Sequence, residues 1–414
     1  MAKCRITGSP LKECIDLGEQ YVSDFVEPGK EKTGSVEPLR VGIGVNSGLV
    51  QRYDSFPAEK MYKRYWYYSG INSSMRKELK SIVESAMSFV KLEPGDTVLD
   101  IASNDGTMLT YYPETVNRIG IDPADVAGES DLYKDGIMLA NDFFSADVYK
   151  NMTSAKAKIV SVIAMFYDLD HPAEFLEQVR SIIDDQGVLV IQISYILLML
   201  EQNEFGDMCH EHVAYYTLKI LKSLLENSDF EVLDVVMNPT NGGSLRVYAT
   251  PKGSTKHLNC PLHWLSIGRA RYRGMLEYEK QQNLDSPEPY LEFAQRIENL
   301  KRQTVTWLQR QKEAGKTVVG YGASTKGNVL LQYYGIGTDL LPCIAEANEK
   351  KWGLCTIGTG IPIISEDEMR KMRPDYLLAL PWFFINSFIE REKDLLDKGT
   401  RFVTPQPKLQ IIEP

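Results

Sequence analysis

The sequence predicts an α/β protein with two doubly wound units, and three observations carry that prediction. From "DTVLDIAS" to "GVLVIQIS" short apolar strands alternate with helical stretches, the pattern of a mostly parallel sheet. A second alternation begins at "KTVVGYGASTKGNVLLQYYG" and closes at "PDYLLALPWFF". Between the two lies a long helical pattern with apolar residues at Leu291, Ala294, Ile297, Leu300, Trp307 and Leu308.

Each element follows in order. Residues 1–72 are rich in Gly, Pro, Tyr and turns, with few clear periodic runs, and form a small irregular N-terminal lobe. "SSMRKELKSIVESAMSFVKLEPG" places Leu79, Ile82, Val83, Ala86 and Phe89 at helical spacing and stops at Pro94-Gly95. "DTVLDIAS" is a strand, "GTMLTYY" opens a helix, and "RIGIDPA" is a short strand ending in an acid. "AKIVSVIAMF", "PAEFLEQVRSII" and "GVLVIQIS" continue as strand, helix and strand. "HVAYYTLKILKSLLENSDF" reads as helical, and "EVLDVVMNPTNGGSLRVYAT" as two strands around a turn. The polar stretch from Pro251 to His257 marks a boundary, which gives a 73–255 domain, a 256–310 helical connector and a 311–414 C-terminal domain.

Composition narrows the function classes. At 414 residues with 43% hydrophobic and 25% charged residues, the chain has an ordinary globular composition for two or three domains. Its longest apolar run, "YILLML", is far short of the roughly 20 residues that span a bilayer. No export signal is evident at the N-terminus. A net charge of −10 without a long Lys/Arg run argues against nucleic acid as a partner. Six cysteines without paired spacing read as reduced thiols in a cytoplasm.

"TVLDIASNDGTML" is strand, acid, small-residue turn and helix start. Ala102, Ser103, Asn104 and Gly106 let a ligand approach the backbone, and Asp122 with Pro123 ends the next strand where a carboxylate can bond two ribose hydroxyls. Dinucleotide and S-adenosylmethionine sites share this spacing. The missing G-x-G-x-x-G and the acids Asp100 and Asp105 disfavour phosphates and suit a cationic ligand. In "DMCHEHVAYYTL", His210 and His212 flank Glu211. On a helix, side chains two apart diverge by roughly 200°, so the pair could chelate only if no helix runs through it. No third ligand is evident nearby beyond Cys209 or Glu211 themselves, and no metal is assigned. A neutral imidazole, with an ordinary pKa near 6.5, is a competent base at cell pH.

Seven blocks in order resemble the S-adenosylmethionine-dependent sugar C-methyltransferases. They are "YWYYSGINSSM" (65–75), "DIASNDGTML" (100–109), "AMFYDLDHP" (164–172), "SYILLMLEQNEFGDMCHEHVAYYTL" (194–218), "NGGSLR" (241–246), "YGASTKGNVLLQYY" (321–334) and "NEKKWGLCTIGTGIPIIS" (348–365). The resemblance implies a class I methyltransferase domain, a C-terminal Rossmann-like domain that helps hold a nucleotide-sugar, and an N-terminal zinc lobe. It also implies methyl transfer to a ring carbon α to the ketone of a nucleotide-linked 4-keto-deoxysugar. His212 would be the base of enolate formation, with Glu211 beside it orienting the sugar or the imidazole, and His210 a structural partner. The zinc lobe departs from the pattern: its two C-x-x-C pairs read Cys4/Thr7 and Gly44/Ser47, so no zinc is expected.

The same blocks supply the other expected site residues. Tyr65 and Tyr67 would close over the cofactor or sugar, with Tyr67 near the chemistry. Met165, Tyr167 and Asp168 sit at the edge of the sheet where ligands bind. Asn241, Gly243 and Arg246 would meet the substrate, and Ser324, Thr325, Lys326 and Asn328 would cradle its pyrophosphate at a helix N-terminus. Two other readings stay open: an NAD(P)-dependent sugar-nucleotide oxidoreductase or epimerase, disfavoured because neither unit has G-x-G-x-x-G, and a non-catalytic sugar-nucleotide binding protein. The nucleotide, the sugar and the ring carbon are not encoded in any of these motifs.

Overall fold

A computed structural model describes residues 2–57, 61, 66–134, 136–255 and 258–413. The N-terminal segment forms β1 (Leu11–Tyr21), β2 (Phe25–Val26), β3 (Val36–Gly44) and β4 (Val50–Arg52). It is more regular than its sequence suggests, because β-bulges after Glu13 and Asp16 break the alternation that betrays a strand. Cys14, Ile15, Leu17 and Gln20 are buried at irregular spacing as a result.

The helix α1 (Ser73–Phe89) starts at an Asn72 side-chain cap and buries Met75, Leu79, Ile82, Val83, Ala86 and Phe89 on one face. Next come β5 (Thr97–Ile101), β6 (Asn117–Ile121), α2 (Asp125–Glu129), β7 (Ile137–Ala140), α3 (Ala146–Met152), β8 (Ala157–Ile163), α4 (Pro172–Ile182) and β9 (Ile183–Ser194). "GTMLTYY" does not open an α-helix: Thr107–Tyr111 is a single 3₁₀ turn entered from Gly106 in the left-handed region. After α5 (Ile196–Glu201), residues 211–217 carry β10 (Ala214–Tyr215), so helix is confined to α6 (Leu218–Asn227), capped by Thr217. β11 (Phe230–Asn238) and β12 (Ser244–Pro251) complete the domain.

Seven strands form one sheet in the order β11-β12-β9-β8-β5-β6-β7. β9, β8, β5, β6 and β7 run parallel, β12 runs antiparallel to β9, and β11, antiparallel to β12, runs in the direction of the parallel set again. Every residue of β5 is buried, as a central strand covered on both faces requires. The chain reverses its winding between β5 and β8, which makes their carboxyl ends the switch point where ligands bind in such folds. This is the class I methyltransferase arrangement.

Two long helices follow, α7 (Leu262–Gln281) and α8 (Glu288–Glu313). The buried stripe of α8 is Tyr290, Phe293, Ile297, Leu300, Thr304 and Leu308, whereas Leu291 faces solvent. The remaining elements are β13 (Val318–Tyr321), α9 (Thr325–Tyr334), β14 (Ile344–Glu346), β15 (Cys355–Thr356), β16 (Ile363–Ser365), α10 (Glu366–Met372), β17 (Tyr376–Ala379), α11 (Ile385–Arg391), α12 (Lys393–Leu396), β18 (Arg401–Thr404) and β19 (Gln410–Ile412). They build a second sheet in the order β16-β14-β13-β17-β18-β19, parallel except for β19. Its switch point falls between β13 and β17.

The three sheets are cross-stitched. β10 joins the N-terminal sheet beside β4, and β2 pairs with β15 of the C-terminal domain. Glu279 of α7, 4% exposed, accepts from the Tyr195 hydroxyl at 2.7 Å, from the Lys219 N–H at 2.9 Å and from the Leu218 N–H. One carboxylate thereby caps α6 and anchors the end of β9. All six cysteines are free and buried. Among the described residues no helix is long and apolar enough to cross a membrane.

Glu279→Ala would orphan three buried donors at once. It is expected to lower stability by about 2–3 kcal/mol, read as an earlier thermal or guanidinium transition than in the wild type.

Candidate active site

Both switch points open into the same cavity, of about 940 Å³. Its walls come from the N-terminal lobe (Ser23, Asp24, Phe25), the central seven-stranded domain and the C-terminal domain (Gly322, Ala323, Ser324). Pockets for small-molecule ligands measure roughly 300–1,000 Å³, so this one is at the upper end of that range.

At the first switch point the backbone is bent to make room. Ala102 (φ 59°), Asn104 (φ 52°), Ala164 (φ 55°) and Asn241 (φ 55°) all line the cavity in the left-handed region. Such positions in non-glycine residues cost about 1 kcal/mol or more each and gather where ligands are held. Asp122 accepts from the Asn104 N–H and the Ala124 N–H, both at 2.8 Å, and still faces the cavity with outward lone pairs. Burial raises its pKa. Asp100 is deeper, bonded to the Ser161 hydroxyl at 2.6 Å, and burial pushes its pKa up to about 7. Ser103, Pro123, Met165, Tyr167 and Asp168 complete this wall. A wall lined by acids, with no cation among the residues of this loop, fits a sulfonium nucleoside bearing an ammonium group.

Some expected cofactor residues have other tasks. Asp105 accepts from Gly70 N–H at 2.7 Å and from Thr107 N–H at 3.1 Å, and it lines a smaller hollow of about 470 Å³. With Asn104, whose side chain bonds Ser69 N–H and the Tyr67 carbonyl, it fastens the 67–70 segment onto the loop. Gly106 is needed because a Cβ would stand 3.0 Å from the Tyr133 ring. Tyr67 lines the cavity with 39% of its surface open to that space, and the enclosing protein raises its hydroxyl pKa. Tyr65 lies outside the described residues.

The histidine stretch forms the opposite wall, in irregular extended backbone. His210 is 2% exposed and turns to the N-terminal lobe, where its Nε2 lies 3.2 Å from the Glu37 carbonyl. Buried Arg52 donates to the His210 carbonyl at 2.6 Å. His212 turns the other way. Its Nδ1 lies 2.8 Å from the Asp207 carbonyl, which makes Nδ1 the protonated nitrogen and leaves the lone pair on Nε2. The Tyr167 ring packs on the imidazole with centroids 4.1 Å apart. Burial depresses the His212 pKa to about 4, and burial raises Glu211 to about 7. At neutral pH the imidazole is therefore an unprotonated acceptor, while the carboxyl beside it is partly a donor.

Cys209, Glu211 and His212 place a thiol, a carboxyl and an imidazole nitrogen within 4.8 Å of one another. Burial raises the Cys209 thiol well above its usual range. At the N-terminal corner, Cys4 Sγ lies 3.0 Å from the Ser47 hydroxyl, and a Cβ on Gly44 would stand 2.5 Å from that hydroxyl. One thiol and neighbouring hydroxyls do not suit structural zinc.

The expected substrate residues divide. Asn241, Ser324, Thr325 and Lys326 line the cavity. Three others do not. Arg246 is buried against Glu78 at 2.6 Å, Gln192 at 2.8 Å and the Tyr248 hydroxyl at 3.1 Å, which holds α1 on the sheet. Asn328 donates to the Asp24 carbonyl at 3.0 Å, and Gly243 packs on Leu198. The phosphate cradle also differs from expectation. Ser324 caps its own helix through Gly327 N–H, Glu346 takes the Ala323 N–H at 2.7 Å, and Lys326 ion-pairs with Asp207 at 2.7 Å. Sequence reasoning missed Asp207, Glu346, Lys351, Phe383, Phe384 and Arg391, all on the cavity wall. The aromatic pair in "PWFF", after a strand at a switch point, was the available signal.

Comparison with known proteins adds the chemistry. Residues 71–235 match the family described as a methyltransferase domain, and residues 239–407 match the C-methyltransferase C-terminal domain. The C-methyltransferase NovU of Streptomyces niveus is 28% identical over 417 aligned residues, covering 99% of this chain and 96% of NovU. Sphingolipid C9-methyltransferase A of Emericella nidulans is 31% identical over 164 residues, covering 34% of this chain and 31% of its own. Among solved structures, magnesium protoporphyrin IX methyltransferase from Synechocystis with bound SAH is similar over 44% of this chain and 89% of its own. That match has 14% identity and a TM-score of 0.34.

Asp122→Ala is expected to weaken S-adenosylhomocysteine binding by about 10–100-fold, the loss of charge-assisted hydrogen bonds, in a calorimetric titration. Arg246→Met, away from the cavity, should leave that affinity within about twofold and lower the unfolding temperature instead.

Proposed function

We propose that this chain, an S-adenosylmethionine-dependent C-methyltransferase, methylates a ring carbon α to the ketone of a nucleotide-linked 4-keto-deoxysugar. The observation that carries the reading is the shared cavity, which has the acid-lined nucleoside cradle on one wall and an unprotonated imidazole on another. A C-terminal α/β unit contributes its own switch point to the same space.

Methyl transfer to carbon needs a carbanion equivalent, and a ketone makes the neighbouring C–H acidic enough for a protein base. His212 Nε2 takes that proton, with the ring held by the Asp207 carbonyl and the Tyr167 face. Glu211, held partly neutral by burial, donates to the ketone oxygen as it becomes an enolate oxygen. Asp122, Asn104 and the Asp100 side of the cradle would hold S-adenosylmethionine, whose sulfonium would give its methyl group to the enolate carbon and leave as the neutral thioether S-adenosylhomocysteine. Tyr67 and Tyr167 wall the reacting carbon from bulk water. Phe383 and Phe384 offer flat apolar faces for the nucleobase of the sugar donor, and Arg391 on the same wall, paired with Glu366 at 2.5 Å, reaches its diphosphate by sharing or leaving that carboxylate.

His212→Asn should lower kcat by about 10²–10⁴-fold, the usual worth of a general base, with S-adenosylhomocysteine affinity within about twofold. It should also abolish exchange of the substrate α-proton with deuterated water; exchange at the wild-type rate would remove His212 from the role. The kcat/KM profile should rise as His212 loses its proton through about 4 and fall as Glu211 ionises through about 7. Glu211→Gln, which keeps a donor but cannot ionise, should lose the alkaline limb.

A further inference from the structure

We propose that Lys326, in the first turn of α9 in the C-terminal domain, is a positioning residue for the base: it neutralises buried Asp207, and Asp207 holds His212. The proposal rests on the reading of His212 as base.

Lys326 Nζ lies 2.7 Å from Asp207 Oδ1 and donates to the Asn241 carbonyl at 2.7 Å. It also sits 4.9 Å from the Phe383 ring centroid. Asp207 is 1% exposed, and His212 Nδ1 lies 2.8 Å from its carbonyl and 3.5 Å from its carboxylate. A lysine at a helix N-terminus stands in an unfavourable dipole field, so its place there needs a local anion. The fit is tight: a Cβ on Gly206 would stand 2.9 Å from the Lys326 Cβ and 2.8 Å from Glu204 Oε1. The Lys326 ammonium is thus engaged by Asp207 and the Asn241 carbonyl, and the base of its side chain is packed against Gly206.

The electrostatic surroundings fix the sign of the effect. Asp207 favours a protonated imidazole, whereas Lys326 and Arg52 oppose it. Glu204 faces the same pair from the loop before Asp207, bonded to Trp382 Nε1 at 2.5 Å, and is raised to about 7 by burial. Cys209, Glu211, Tyr167 and Tyr215 surround the imidazole and the loop without bringing a further cation. Removal of Lys326 leaves Asp207 to act on His212 against Arg52 alone.

Three variants test this: Lys326→Met, Lys326→Arg and Asp207→Asn, each read by NMR titration of the His212 imidazole and by the pH dependence of kcat/KM. Lys326→Met should raise the imidazole titration and the acid limb together by about one to two pH units, with kcat lowered about 10–100-fold and S-adenosylhomocysteine affinity unchanged. Lys326→Arg should restore both. Asp207→Asn should lower the imidazole titration, and Lys326→Met added to it should raise it by less than Lys326→Met does in the wild-type background, because only the direct effect of the ammonium on the imidazole is left to remove; this keeps the test available if Lys326→Met alone does not fold. An unmoved imidazole in Lys326→Met with a raised KM for the sugar nucleotide would overturn the proposal and return Lys326 to phosphate binding. Normal turnover by His212→Asn would instead sink the base assignment, while the imidazole titration still reports on the Lys326 contact.

Discussion

A carboxylate buried to 1% exposure cannot stand alone, and much of this molecule is arranged around that constraint at Asp207. Its cation comes from α9, more than a hundred residues later in the chain. Its carbonyl fixes the tautomer of His212. The loop it begins is then tied to the N-terminal lobe by Arg52 on the His210 carbonyl and His210 on the Glu37 carbonyl, and to the central sheet by Val213 N–H on the Tyr167 carbonyl. Three bodies hold one irregular segment, which is how a stretch without helix or long strand keeps an imidazole in one orientation.

The cavity follows from the same packing. Neither α/β unit closes its own switch point; each supplies one side of a shared space, and the N-terminal lobe seals a third. Four non-glycine residues hold left-handed backbone on that wall, a local cost sustained by the buried sheets behind them. The acids Asp100 and Asp122 sit where backbone N–H groups and a serine hydroxyl partly satisfy them, so they remain available to a cationic nucleoside.

The sequence was most informative where chemistry and structure are local. Strand, bent loop and terminal acid lie within 97–122, and the cavity wall contains Asp100, Ala102, Ser103, Asn104 and Asp122 from that one span. The α1 stripe was legible for the same reason, since its period is set by the helix itself. Polar side chains with distant partners were not legible. Arg246 answers to Glu78, Asn328 to Asp24 and Lys326 to Asp207, and none of these partners is near in sequence. A motif can say that a lysine opens a helix, but a buried anion from another domain decides where its charge goes. The β-bulges of β1 hid a strand in the same way, because the register shift destroys the period that reading relies on.

The pairing of β2 with β15 and of β10 with β4 has a consequence for how the chain is made. The first strands leave the ribosome long before residues 214–215 exist to complete their sheet, and longer still before residues 355–356 exist to cover β2. The N-terminal lobe must wait as an open edge while the central domain is synthesised, in a molecule whose contacts are dominated by distant segments. The waiting edges are short, three residues in β4 and two in β2, which limits their pairing with a neighbour. The N-terminal lobe thus reaches its final form only after most of the segments that follow it have been made, and it does so around the loop that carries His212.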